Sequence, residues 1–203
     1  MGKIIKVVNR FNGNLCLAGS TDSGDYLFEC NPSDGSIVSD KTSKNISDIT
    51  LNDSNSYLFV AYDNFVGKFE DGIIDDTYLD ASIPGLNGIA KSRDGNLYLV
   101  SLSNNTLTRL GVWQINLPFV SDHGKAKLLV REFDNTILYY QGDRINVIRD
   151  TGTSGELINT LIIDGTQNIN LLSESLFLPR HGRARYRWVS SENLDQSSSS
   201  SDT

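Results

Sequence analysis

The densest group of chemically capable side chains in this 203-residue sequence is basic: Arg180-His181-Gly182-Arg183-Ala184-Arg185-Tyr186-Arg187-Trp188. On an extended strand, alternation puts Arg183, Arg185 and Arg187 on one face and Ala184, Tyr186 and Trp188 on the other. Planar guanidinium groups repeated in this way suit bidentate pairing with carboxylates. Arg180, Arg183, Arg185 and Arg187 are therefore the candidate contacts for an acidic partner surface, on another protein chain or on a copy of this one. The competing reading is a solvated face over a small core of Tyr186 and Trp188. Single-stranded nucleic acid or an anionic glycan would fit the same strand. A net charge of −7 weighs against nucleic acid, whose affinity comes from an excess of Lys and Arg over phosphates. Residues 1–102 hold 8 basic and 14 acidic side chains and residues 103–203 hold 10 and 11, so the basic surface lies in the second half.

Other reactive types are thinly spread. His123 and His181 each stand on an expected turn with no second His or Cys at metal-ligand spacing. No Gly-x-Ser-x-Gly elbow is present. Cys16 and Cys30 fall on expected neighbouring strands about two residues out of register, a poor geometry for a disulfide, and are expected to be reduced thiols. Asp53, Asp94, Asp134 and Glu174 sit at turns, where turn chemistry accounts for them, while Asp75, Asp76 and Asp80 follow an outer strand. The inner strands carry few acids, chiefly Asp48 and Glu132. These positions predict no catalytic constellation, no metal site and no cofactor.

The elements that would position these residues repeat. Five short apolar runs follow turns: Leu15-Cys16-Leu17-Ala18, Tyr57-Leu58-Phe59-Val60, Leu97-Tyr98-Leu99-Val100, Ile137-Leu138-Tyr139-Tyr140 and Leu176-Phe177-Leu178-Pro179. Their first residues are 42, 40, 40 and 39 positions apart. Before each run stands a turn rich in residues that tolerate positive φ (Asn12-Gly13-Asn14, Asp53-Ser54-Asn55, Asp94-Gly95-Asn96, Asp134-Asn135, Ser173-Glu174), and before each turn an apolar strand, at 4–8, 46–51, 88–91, 126–133 and 169–172. A third strand with period-two alternation follows each run, and a fourth is placed at 36–38, 73–74, 112–115 and 157–163. Four strands per forty residues is the size of a propeller blade. The sequence thus predicts an all-β, five-bladed β-propeller, with blades at about 1–42, 43–83, 84–120, 121–164 and 165–190 and a Ser-rich tail at 191–203 that is disordered in isolation. A β-sandwich is the structural rival, but nothing in a sandwich requires so constant a spacing.

Repeat three, from Leu86-Asn87-Gly88-Ile89-Ala90 through Asp94-Gly95-Asn96, Leu97-Tyr98-Leu99-Val100 and Asn104-Asn105, resembles the repeat of NHL and gluconolactonase-like propellers. That resemblance implies the fold. It also implies a channel site at which a divalent metal could be held by Asn87, Asp48 and Asn168 in a lactonase or hydrolase. The Asn-, Ser- and Asp-rich texture is similar to propeller proteins of tailed-bacteriophage virions. Because residue 4 already begins an inner strand, no N-terminal outer strand is left to complete blade five. Either packing closes the ring, which is the preferred reading, or the units form an incompletely closed arc that another chain completes.

The functional expectation is a non-catalytic structural or interaction subunit of a larger assembly, a virion tail or fibre attachment being one case. A carbohydrate-binding propeller and the channel-metal enzyme are the alternatives. Tyr57, Tyr98 and Tyr139 recur within the repeat but alternate in register, so no repeated stacking site is expected. No segment is apolar enough for a membrane span and the N-terminal run is too short for a signal peptide, so the expectation is a soluble protein without membrane contact.

Overall fold

Left-handed turn residues organise the chain into hairpins. Gly13 (φ 86°), Gly95 (φ 88°) and Asn135 (φ 53°) supply the positive φ that a tight turn needs between the first two strands of blades 1, 3 and 4. Asp63 (φ 46°) and Asn105 (φ 54°) do the same between the second and third strands of blades 2 and 3. The computed structural model describes residues 3–10, 13–42, 44–52, 57–79, 82–117, 127–131, 134–141 and 144–162.

Sixteen antiparallel strands form four sheets. Blade 1 holds β1 (Lys3–Asn9), β2 (Leu15–Thr21), β3 (Gly24–Cys30) and β4 (Ile37–Thr42). Blade 2 holds β5 (Ile46–Leu51), β6 (Leu58–Tyr62), β7 (Phe65–Glu70) and β8 (Ile73–Leu79). Blade 3 holds β9 (Leu86–Lys91), β10 (Leu97–Ser101), β11 (Thr106–Arg109) and β12 (Trp113–Asn116). Blade 4 holds β13 (Lys127–Arg131), β14 (Thr136–Gln141), β15 (Arg144–Asp150) and β16 (Gly155–Ile162). Each sheet keeps sequence order, and the first strands pack in succession, β1 on β5, β5 on β9 and β9 on β13. The fold is a β-propeller with no helix among the described residues.

Five blades were expected, and the described residues contain four. The fifth, at 165–190, lies outside them, as do the tail, both histidines and Arg180, Arg183, Arg185 and Arg187. The blade boundaries read from the sequence agree with the four observed sheets to within a few residues. In blade 2 the apolar run starts one residue later than expected. Leu58, not Tyr57, is the counterpart of Leu15, Leu97 and Ile137, because Leu58 and Val60 face blade 1 as Leu97 and Leu99 face blade 2.

Central strands that pack on both sides must be apolar at every position, and β6 and β10 are buried throughout. Between blades 1 and 2 lie Cys16, Ala18, Leu27, Ile49, Leu58, Val60 and Phe69. Between blades 2 and 3 lie Phe59, Ala61, Val66, Ile89 and Leu99. Between blades 3 and 4 lie Tyr98, Val100, Leu107, Trp113, Ile137, Tyr139 and Ile148. Burial of each large side chain is worth about 1.5–3 kcal/mol, so these interfaces carry most of the fold's stability. Cys16 and Cys30 are free thiols. They lie one residue out of register, not two, since Leu15 pairs with Cys30 and Cys16 with Glu29, and they therefore occupy opposite faces of the sheet.

Gly85 is required where blade 3 begins. It has φ 68°, and a Cβ there would stand 2.6 Å from Ser103 Cβ and 2.7 Å from Ser103 N. Because the obstruction includes backbone, Gly85→Ala is expected to cost about 3 kcal/mol, combining left-handed strain with overpacking. Urea denaturation followed by tryptophan fluorescence would measure it as a lower midpoint at unchanged slope.

Candidate functional site

Blades 1, 2 and 3 share a bulge at one repeated place. Pairing skips Ile5 in β1, Ser47 in β5 and Asn87 in β9, each near the start of an inner strand. A bulge re-aims the residue it carries, so three successive inner strands present an altered side-chain direction at one end of the ring. Two neighbouring turns complete that end. Asp25, at the start of β3, accepts the Ile46 N–H at 2.5 Å, and Asn64 Oδ1 accepts the Gly85 N–H at 2.8 Å. In each case the turn of one blade holds the first residues of the next.

These parts enclose a cleft of about 560 Å³ lined by Ser20, Asp25, Asn45, Ile46, Ser47, Asp63, Asn64, Leu86 and Asn87. Seven of the nine are polar and none is cationic. The walls are held from behind: Asn45 Nδ2 donates to Asp63 Oδ1 at 2.7 Å, and buried Ser47 donates to the carbonyl oxygens of Ala61 and Leu86 at 3.2 and 3.3 Å. Amide, hydroxyl and carboxylate groups together can both donate to and accept from a ligand, with the surplus on the accepting side. Sequence reasoning singled out Asn87 of this set and missed the rest. The signal that could have found them is the repeat itself, since Ser47 and Asn87 hold the bulge position of successive units.

Asp48, the acid expected on an inner strand, points elsewhere. Its side chain is fully buried and receives Lys6 Nζ at 3.0 Å, the Ile49 N–H at 2.9 Å and the Ile89 N–H at 3.0 Å. A carboxylate so committed is a tie between blades 1, 2 and 3. The channel-metal reading needed Asp48 with Asn87 and Asn168. Asp48 is spent on Lys6, Asn168 lies outside the described residues, and among the described residues no group of three His, Cys, Asp or Glu could hold a metal ion. The residues present do not fit that group.

A second polar centre ties blade 3 to blade 4. Asp150 accepts from Tyr98 OH at 2.6 Å, Trp113 Nε1 at 3.0 Å and the Gly152 N–H at 2.8 Å, and Arg109 Nη1 lies 3.0 Å away. Burial alone would raise its carboxyl, but these hydrogen bonds and the Arg109 charge outweigh that and hold it below the usual carboxylate value. Burial, reinforced by the Asp150 hydrogen bond, pushes the Tyr98 hydroxyl up. Cys16 is likewise pushed up, to about 12, by burial first and then by the Glu29 charge, which leaves it an inert thiol. Tyr98 and Tyr139 are buried between blades 3 and 4 and Tyr57 packs on Phe59, so the recurrent tyrosines build no common surface, as expected.

No family model matches the chain, and no curated protein matches it. Solved structures do. Virginiamycin B lyase from Staphylococcus aureus matches with a TM-score of 0.59 at 16% identity, over 81% of this chain and 57% of that one. An auxiliary nutrient binding protein from Bacteroides thetaiotaomicron matches at 0.58 and 14% identity, over 81% and 42%. A luciferin-regenerating enzyme matches at 0.52 and 10% identity, over 82% and 63%. The chain thus spans little more than half the length of the lyase. At these identities the likeness is one of fold, and the fold is a propeller. It also corrects the expectation that the chain is not an enzyme: neighbours of this fold include a lyase and a luciferin-regenerating enzyme, so a missing motif gives no ground for that exclusion. Among the described residues no helix is long and apolar enough to cross a membrane.

Proposed function

We propose that this chain is a binding propeller whose cleft, at the mouth of blades 1 to 3, takes a neutral polyhydroxylated ligand of the carbohydrate class. One observation carries this reading: seven polar residues, with two carboxylates and no cation, around about 560 Å³. Sugar hydroxyls donate to carboxylates and accept from amide N–H groups, while a phosphate or carboxylate ligand would meet Asp25 and Asp63 without a compensating charge. The body that presents the cleft is, in this proposal, a five-bladed ring whose fifth repeat is residues 165–190. Isothermal titration with glucose, galactose and N-acetylglucosamine tests the binding. The expected result is saturable binding of one of these at a Kd of about 1 mM or tighter, weakened roughly tenfold by Asn87→Ala, the cost of about one ligand hydrogen bond. Absence of binding by all three, or binding that Asn87→Ala leaves unchanged, contradicts it.

A second reading, a subunit of a larger assembly such as a virion, is favoured by β16. This outer strand of blade 4 exposes Leu157, Ile158, Leu161 and Ile162, with Glu156 as its one charge. The outer strands β4 and β8 instead carry Asp40 and Lys41, and Asp75 and Asp76, as guarded edges do. In this reading Arg180, Arg183, Arg185 and Arg187 contact an acidic surface of the partner.

A further inference from the structure

Blade 1 has one sheet face built like a blade interface with no described blade against it. In blades 2, 3 and 4 the two central-strand positions that face the preceding blade are shut: Leu58 and Val60 at 0%, Leu97 and Leu99 at 7% and 1%, Ile137 and Tyr139 at 0% exposure. Their counterparts in blade 1, Leu15 and Leu17, are only half-buried. Around them the face continues with Val7 and Ile37, exposed at 43% and 62%, and with Tyr26 and Phe28, whose rings stack at 5.6 Å. A sheet face this apolar is normally covered.

We propose that its occupant is this chain's own fifth repeat, residues 165–190, which packs on blade 1 and closes the ring. The proposal rests on the five-repeat reading above and adds where that repeat lands. The run Leu176-Phe177-Leu178 begins 39 residues after Ile137, so the chain beyond β16 brings one further unit of the same period. In the repeat register Phe177 corresponds to Phe59 and Tyr98, each of which points into the blade that follows it. The space left is also that of one blade. Lys127, at the start of β13, donates from Nζ to Ile5 O of β1 at 3.0 Å, so the inner strands of blades 4 and 1 stand within one lysine side chain of each other. They are not packed side by side as successive inner strands are.

The native thiols report on this face directly, because Cys30 lies on it beside Leu15 while Cys16 is buried on the opposite one. Full-length protein is treated with iodoacetamide and read by peptide mass, alongside amide hydrogen exchange. The expected result is that residues 176–188 are protected and that Cys30 reacts at least about tenfold more slowly than in Phe28→Asp, equally in dilute and concentrated protein. Should Phe28→Asp not fold, Val7→Glu at the rim of the same face serves, together with the wild-type rates. Unprotected amides at 176–188 overturn the five-repeat reading. Protected amides with Cys30 reacting as a free thiol show a fifth blade that docks elsewhere and overturn the docking alone. Protection of Cys30 that appears only as concentration rises assigns the face to a second copy, which also overturns it.

Discussion

Asp48→Ala is expected to lower the free energy of unfolding by about 3–5 kcal/mol and the melting midpoint by roughly 10 °C. The carboxylate is fully buried and carries one ammonium and two backbone N–H groups from three blades. Removing it leaves Lys6, 17% exposed, without its partner and orphans the N–H groups of Ile49 and Ile89. The size of the loss comes from those stranded groups more than from the attraction itself. Asp48→Asn keeps an accepting oxygen and is expected to lose only about half as much. Lys6→Met combined with Asp48→Leu, which removes both charges, should fall well short of the sum of the single losses. Differential scanning calorimetry of the four chains checks this. A loss below about 1 kcal/mol for Asp48→Ala would mean that the three inner strands are held together without the tie.

Asp150→Asn is expected to destabilise by about 2–4 kcal/mol at neutral pH, with a dependence on pH that separates it from an ordinary packing defect. The folded carboxyl sits below its unfolded value, so Asp150 contributes stability that is fully present above the unfolded pKa of about 4. That contribution disappears as pH falls through the lower folded value. The gap between wild type and Asp150→Asn should therefore be constant from neutral pH down to about pH 5 and close on further acidification. Tyr98 gives the opposite limb. Its hydroxyl is raised above the ordinary tyrosine value, so its contribution holds below about pH 10 and is lost only as pH rises through the folded value. Urea midpoints of wild type, Asp150→Asn and Tyr98→Phe across pH 3 to pH 7 would read the acid limb. A gap that persists unchanged at about pH 3 would contradict the charge-assisted account of the centre.

The blades were legible because hairpin turns are local chemistry. Gly13, Gly95 and Asn135 announce positive φ in their residue types, and the runs after them are apolar because β6, β10 and β14 pack on both sides. The ties between blades were not legible, since each joins residues far apart in the chain: Lys6 to Asp48, Tyr98 to Asp150, Asn135 to Asp94. Asp48 was noticed as an acid on an inner strand and assigned to a channel metal. Its partner was hidden until the bulges showed that Lys6 and Asp48 hold the same position in successive repeats. The cleft went unseen for a related reason. Its polar residues belong to three blades, and a bulge that skips Ser47 or Asn87 leaves no mark in an alternation pattern. The exclusion of catalysis failed differently, because a missing motif is weak grounds on a fold whose neighbours include a lyase.

The most direct measurement is an amide chemical-shift titration of the isotope-labelled full-length chain with glucose, galactose and N-acetylglucosamine. A polyhydroxylated ligand in the cleft predicts saturable shifts that concentrate on Asn45, Ile46, Asp63, Asn64 and Asn87 and spare β16. Spectra unmoved by all three sugars, or shifts confined to Leu157, Ile158, Leu161 and Ile162, would contradict a carbohydrate site at the mouth of the ring.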